Sequence, residues 1–255
     1  MFGRVVLTLL LLTAPASAER WRATYVITAA GITVADAEVR FTLGPAGTPY
    51  SIETRSRTRG VAAWLIRSET RALSEGVLRA GAAQPRRYQT EGTWRGMPRR
   101  TLLEYAPDGT ARVAALEPLQ DMERTPVPDD ARRGHVDPLS AIVMLTAHVR
   151  ETARCDVRAR TFDGRRVTAF EVTTHPVVLA SDRGLLRCDV ESRPIAGIPL
   201  DRPIEDTSRP TRSSLIFGVP QPGAPAIPVQ VEIASRWWGT IQASLVELTE
   251  ERGQR

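Results

Sequence analysis

Few residue types in this 255-residue chain are placed for chemistry, and the cysteines come first. Cys155 and Cys188 are its only two, each is followed by Asp-Val, and they bracket the turn Phe162-Asp163-Gly164-Arg165-Arg166. Two thiols without histidine or carboxylate at ligand spacing are too few for zinc, and without Cys-x-x-Cys they form no redox motif. In an exported protein an even count favours a disulfide over two buried free thiols. Closing that loop is worth roughly 3.5 to 4 kcal/mol in the chain-entropy account.

The other chemically able groups are scattered. His135 and His148 flank one helix too far apart to share a metal through helical spacing, and His175 precedes Pro176 at a strand end. Asp129 with Asp130, or Asp156 with Asp189, could serve a hydrolase as acid and base; solvated loop acids are the alternative. Arg165 and Arg166 beside Asp163 could bind an anion, against the commoner reading of surface arginines at a hairpin. Gly-x-Ser-x-Gly and His-Glu-x-x-His are absent. Lysine is missing altogether, which removes the Walker phosphate lysine, the Schiff-base lysine and the Ser-x-x-Lys pair. A binding or scaffolding protein without cofactor or metal is therefore expected in preference to an enzyme.

The N-terminus sets the expected compartment. Arg4, the apolar run Val5 to Leu12 and the small residues Ala16-Ser17-Ala18 read as a signal peptide over 1–18, cleaved after Ala18. The run is too short to span a bilayer, and no later segment reaches that length. Residues 19–255 are expected as a single β-rich domain in the periplasm. Loss of Arg4 brings the formal net charge from +5 to +4, spread among interspersed acids, which argues against nucleic acid as a partner.

The elements that must position these groups are strands. Trp21, Ala23, Tyr25 and Ile27 share one face, and Ala35 to Leu43 continue the alternation. Val61 to Ile66 breaks it as a core plug or a lid. Hairpins are expected at Pro107-Asp108-Gly109 and Asp163-Gly164. One helix is expected over about 137–150, with Asp137 as N-cap and Pro138 at its first position. The proline-rich segment 194–228 holds too many prolines for central strands and is expected to wrap a rim, adding one short strand at Ser213 to Val219. The fold class is mainly β: a single strongly curved antiparallel sheet of about a dozen strands, open or partly closed as a barrel, with one main helix. Tyr25, Trp64, Tyr88, Trp94 and Trp237 are candidates to line its concave face, plain core being the other reading.

Several short motifs recur in an order found elsewhere. Arg57-Thr58-Arg59-Gly60, Ser74-Glu75-Gly76, Glu91-Gly92-Thr93-Trp94-Arg95-Gly96, Val136-Asp137-Pro138-Leu139-Ser140-Ala141, Leu186-Arg187-Cys188-Asp189 and Arg236-Trp237-Trp238-Gly239 carry the resemblance. Across residues 20 to 248 the chain resembles the exported bacterial family called domain of unknown function 3108. Ala153 stands where that pattern has a glycine. The resemblance implies a periplasmic protein of a Gram-negative bacterium and no assigned activity. More loosely, the pattern is similar to periplasmic lipoprotein carriers, whose half-barrels hold acyl chains. The leading expectation is a concave face that takes an amphiphile, a lipoprotein or a segment of an envelope protein. A protein-interaction module working through an edge strand or the proline-rich segment is the alternative.

Overall fold

A computed structural model describes residues 19–45, 47–65, 67–94, 96–119, 121–175, 185–201, 209–235 and 239–251. Period-two alternation lays down β1 (Glu19–Ala29), β2 (Ile32–Leu43) and β3 (Pro49–Thr58). Their buried residues, Trp21, Ala23, Tyr25, Ala29, Phe41, Leu43, Tyr50 and Ile52, all lie on one face. The short helix α1 (Gly60–Leu65) leads into β4 (Glu69–Arg79), β5 (Ala82–Trp94), β6 (Met97–Tyr105) and β7 (Ala111–Glu117). After the main helix, α2 (Pro138–Thr152), a second meander follows. It comprises β8 (Val157–Phe162), β9 (Val167–Thr174), β10 (Leu186–Ala196), β11 (Thr211–Gly218), β12 (Ile227–Ser235) and β13 (Gly239–Glu250).

The two meanders fuse through the first and last strands. β1 pairs with β13, Trp21 opposite Glu250 and Ala29 opposite Ile241, giving one 13-stranded antiparallel sheet in the order β7-β6-β5-β4-β3-β2-β1-β13-β12-β11-β10-β9-β8. β7 and β8 are left as edges, so the sheet is open as a hydrogen-bonded ladder. Its ends nevertheless meet: the β8–β9 turn packs on β6, where Gly164 abuts Thr101 and Leu103. Gly164 is buried, has φ +92° and leaves no space for a Cβ against Thr101. Gly164→Ala is expected to cost about 2 kcal/mol in urea unfolding through backbone strain and overpacking.

Helix α2 stands where the N-terminal signals place it and runs to Thr152, slightly beyond the expected end. Asp137 accepts the Ser140 N–H at 2.9 Å, and the left-handed Ala153 (φ 54°) ends the helix by donating to the Val149 carbonyl at 2.9 Å. Leu139, Val143 and Ala147 pack into the main core beside Phe41, Tyr50 and Leu103. Leu145 and Val149 pack into a second cluster around Cys155, Cys188, Val172, Val190 and Phe217. A helix with two apolar faces thereby crosses the concave side of the sheet.

One expectation needs correction. The strand expected at Ser213 to Val219 is present as β11, but it is a central strand between β10 and β12 and not at a rim, and β10 itself contains Pro194; residues 202–208 of the segment lie outside the described residues. Pro194 lies at a register shift against β9, and Pro228 at one against β11, where a bulge removes the need for the N–H that proline lacks. Counting prolines missed this because the rule concerns each ladder position, and these two occupy irregular ones.

Candidate functional site

Inner-face residues of β1 to β3 and β11 to β13 leave an apolar groove beside α2, with a cavity of about 270 Å³. Val39, Phe41 and Ile52 form one wall, Phe217, Ile227 and Val231 the other, and Ile142 and Val143 of α2 run along it. Ala37 and Ala243 are the small residues that leave the space open. Tyr25, Thr54 and Thr146 are the polar residues of the lining. The Tyr25 hydroxyl donates to the Pro228 carbonyl at 2.8 Å, and burial pushes its phenol well above the ordinary value. Among the described residues no charged side chain lines the groove, while Ile142 is 43% exposed at its margin. The arrangement can desolvate a hydrocarbon chain and offers no group that would bind a charge.

A buried polar latch holds α2 in position beside the groove. Asp137 Oδ2 accepts from the hydroxyls of Ser140 at 2.5 Å and Ser74 at 3.0 Å, and the Tyr50 hydroxyl lies 2.6 Å from Ser140 Oγ. Asp137, Ser74 and Ser140 are fully buried. Desolvation pushes the Asp137 carboxyl above its ordinary value, and the bonds from Ser140 and Ser74 oppose that rise. Burial likewise pushes the Tyr50 phenol up to about 12. The latch ties the helix start to β3 and β4. An Asp at an N-cap is visible in a sequence; its serine and tyrosine partners on distant strands are not.

The sequence candidates separate. Tyr25 lines the groove, whereas Tyr88 lies at a second, polar pocket with Arg165 and Arg166. Trp64 is 94% exposed on α1, which links β3 to β4, and does not line the concave face. The Trp94 side chain and Trp237 lie outside the described residues. Both candidate arginines already have protein partners. Arg166 pairs with Asp163 at 2.7 Å, and Arg165 donates to the carbonyls of Pro118 at 3.1 Å and Glu117 at 2.5 Å. Cys155 and Cys188 form the disulfide, with Cα atoms 5.7 Å apart.

The carboxylates have local partners. Asp129 pairs with Arg132 at 2.8 Å, Asp156 with Arg154 at 2.8 Å and Asp189 with Arg187 at 3.1 Å. Asp156 accepts from Thr174, while Asp189 stands opposite Thr173 in the ladder, which places the two acids on different faces of the sheet. Among the described residues no group of three or more His, Cys, Asp or Glu could hold a metal ion, and no helix is long and apolar enough to cross a membrane.

The fold and groove define a class: an open, β-barrel-like antiparallel sheet with a helix laid across an apolar concave face. The chain belongs to the family described as "Protein of unknown function (DUF3108)", which matches residues 24–208. Among solved structures it is similar to the β-barrel-like protein of domain of unknown function DUF1849 from Brucella abortus. Identity there is 13%, with 92% of this chain and 99% of that chain covered at a TM-score of 0.49. No curated protein matches in sequence.

Proposed function

We propose that this is a non-enzymatic binding protein of the bacterial periplasm that holds the apolar part of an amphiphile, such as an acyl chain, in the groove beside α2. The observation that carries the reading is an uncharged groove of about 270 Å³, just under the roughly 300 to 1,000 Å³ typical of small-molecule sites. A folded core ordinarily closes such space, since unfilled apolar volume costs stability. Exposed apolar side chains add support. Ile32 and Met97 at strand starts, Trp64 on α1, and Leu119, Met122 and Leu200 on connections are all exposed at one end of the sheet, a surface suited to contact with a membrane or a lipidated partner.

Native mass spectrometry and lipid extraction of the protein purified from its own periplasm test the reading. A co-purifying amphiphile near one per chain is expected. Ala243→Phe, which fills the groove from β13, is expected to weaken binding of a fluorescent fatty acid at least about tenfold while the fold persists. An empty protein that also fails to bind the fluorescent probe would overturn it.

A further inference from the structure

We propose that the polar pocket at the junction of the sheet's two ends is a second binding site, for a phosphate group, free or carried in a lipid headgroup. It does not rest on the groove reading. The β8–β9 turn, the segment after β7 and the inner face of β4 to β6 enclose a cavity of about 370 Å³. Into it converge Arg99, Arg124, Arg165 and Arg166, from elements far apart in sequence, together with the hydroxyl-bearing Tyr88, Thr90 and Thr101.

The charge does not balance. Asp121 is shared by Arg99 at 3.5 Å, Arg165 at 3.7 Å and Arg124 at 4.0 Å. Glu123 takes Arg99 at 3.0 Å, and Asp163 takes Arg166 at 2.7 Å. The remaining acid of the lining, Glu91, faces Arg100 at 3.5 Å. Among the described residues four guanidiniums therefore meet three carboxylates, an excess of one cation in a partly enclosed space. The Arg165 and Asp121 side chains are only 10% and 11% exposed, so solvent screens the excess poorly. Arg99 Nε is buried with no hydrogen-bond partner among the described residues. Burial and then the neighbouring Arg166 hold the Arg124 guanidinium below its ordinary value.

Structural arginines explain part of this cluster. Arg165 fastens the chain after β7, and Arg124 donates to the Gly197 carbonyl at 3.2 Å. Those bonds leave Arg166 and part of Arg124 with N–H groups uncommitted among the described residues, beside hydroxyls able to donate. A tetrahedral oxyanion takes several donors at once and neutralises the excess charge.

Titration of the full protein by calorimetry at constant chloride ionic strength tests the proposal, with inorganic phosphate and dihexanoylphosphatidylglycerol as probes. Saturable binding is expected, weakened at least about tenfold in Arg166→Gln and in Arg124→Gln, and unchanged in Arg112→Gln, which lies at the far end of β7 from the pocket. The turn around Asp163 rests on backbone N–H groups of Arg165 and Arg166, so Arg166→Gln keeps it. Binding of both probes identifies a site for phosphate itself; binding of the phospholipid alone, still lost in Arg166→Gln, identifies a headgroup site. Absence of saturable binding for both probes, or binding indifferent to both substitutions, overturns the proposal.

Discussion

Asp137→Ala is expected to cost the fold about 4 kcal/mol, because one carboxylate serves both as the helix cap and as acceptor for two buried hydroxyls. Alanine leaves the Ser140 N–H and the Ser74 and Ser140 hydroxyls to find other partners in a dry interior, where each unpaired group costs about 1 to 3 kcal/mol. Recovered desolvation of the carboxylate offsets part of the total. Asp137→Asn keeps the cap acceptor and is expected to lose less than half as much. Urea unfolding of the three proteins checks the order; equal losses for alanine and asparagine would show that charge, not acceptor geometry, holds the latch.

The same carboxyl sets a pH dependence with a definite sign. Its folded-state pKa is raised above the ordinary 3.8, so its contribution is fully present below that value and is lost as pH rises through the folded value. The stability of the wild type relative to Asp137→Asn should therefore fall as pH rises from about 4 towards neutrality. Asp156 acts oppositely. Bonds from the Thr174 side chain and backbone hold its carboxyl down at about 2, so its contribution is present above 3.8 and is lost as pH falls through about 2. Unfolding midpoints of Asp156→Asn and wild type should accordingly converge in acid.

Removing the disulfide is the second large effect. The Cys155→Ala, Cys188→Ala double variant is expected to lose roughly 3.5 to 4 kcal/mol, the chain-entropy cost of opening a loop of this length. Its position concentrates the damage. Cys155 precedes the edge strand β8 and donates its N–H to Thr174 Oγ1 at 2.8 Å, and Cys188 lies opposite Thr174 in the ladder. Leu145 and Val149 of α2 close over the pair. Hydrogen exchange should rise first in β8, β9 and the end of α2, and reductant should destabilise the wild type but not the double variant. A loss below about 1 kcal/mol would mean that the unfolded loop is already ordered.

Local signals in the chain determine the strands, the capped helix and the hairpin at Asp163-Gly164, because each depends on side-chain period or turn chemistry within a few residues. They also determine the family, whose motifs stand in order along the chain. The pairing of β1 with β13 and the central place of β11 are long-range decisions, taken by register between strands that alternation alone cannot match. The groove beside α2 is decided at the same level, since Ala37 and Ala243 leave a space only when their strands sit beneath the helix. Meeting of the sheet's ends likewise turned Arg165 and Arg166 from a hairpin feature into half of a four-arginine pocket with Arg99 and Arg124. Sequence carries residue type and local period; which side chains share a space is fixed by packing, because contacts between residues far apart form only when the whole sheet closes around the helix.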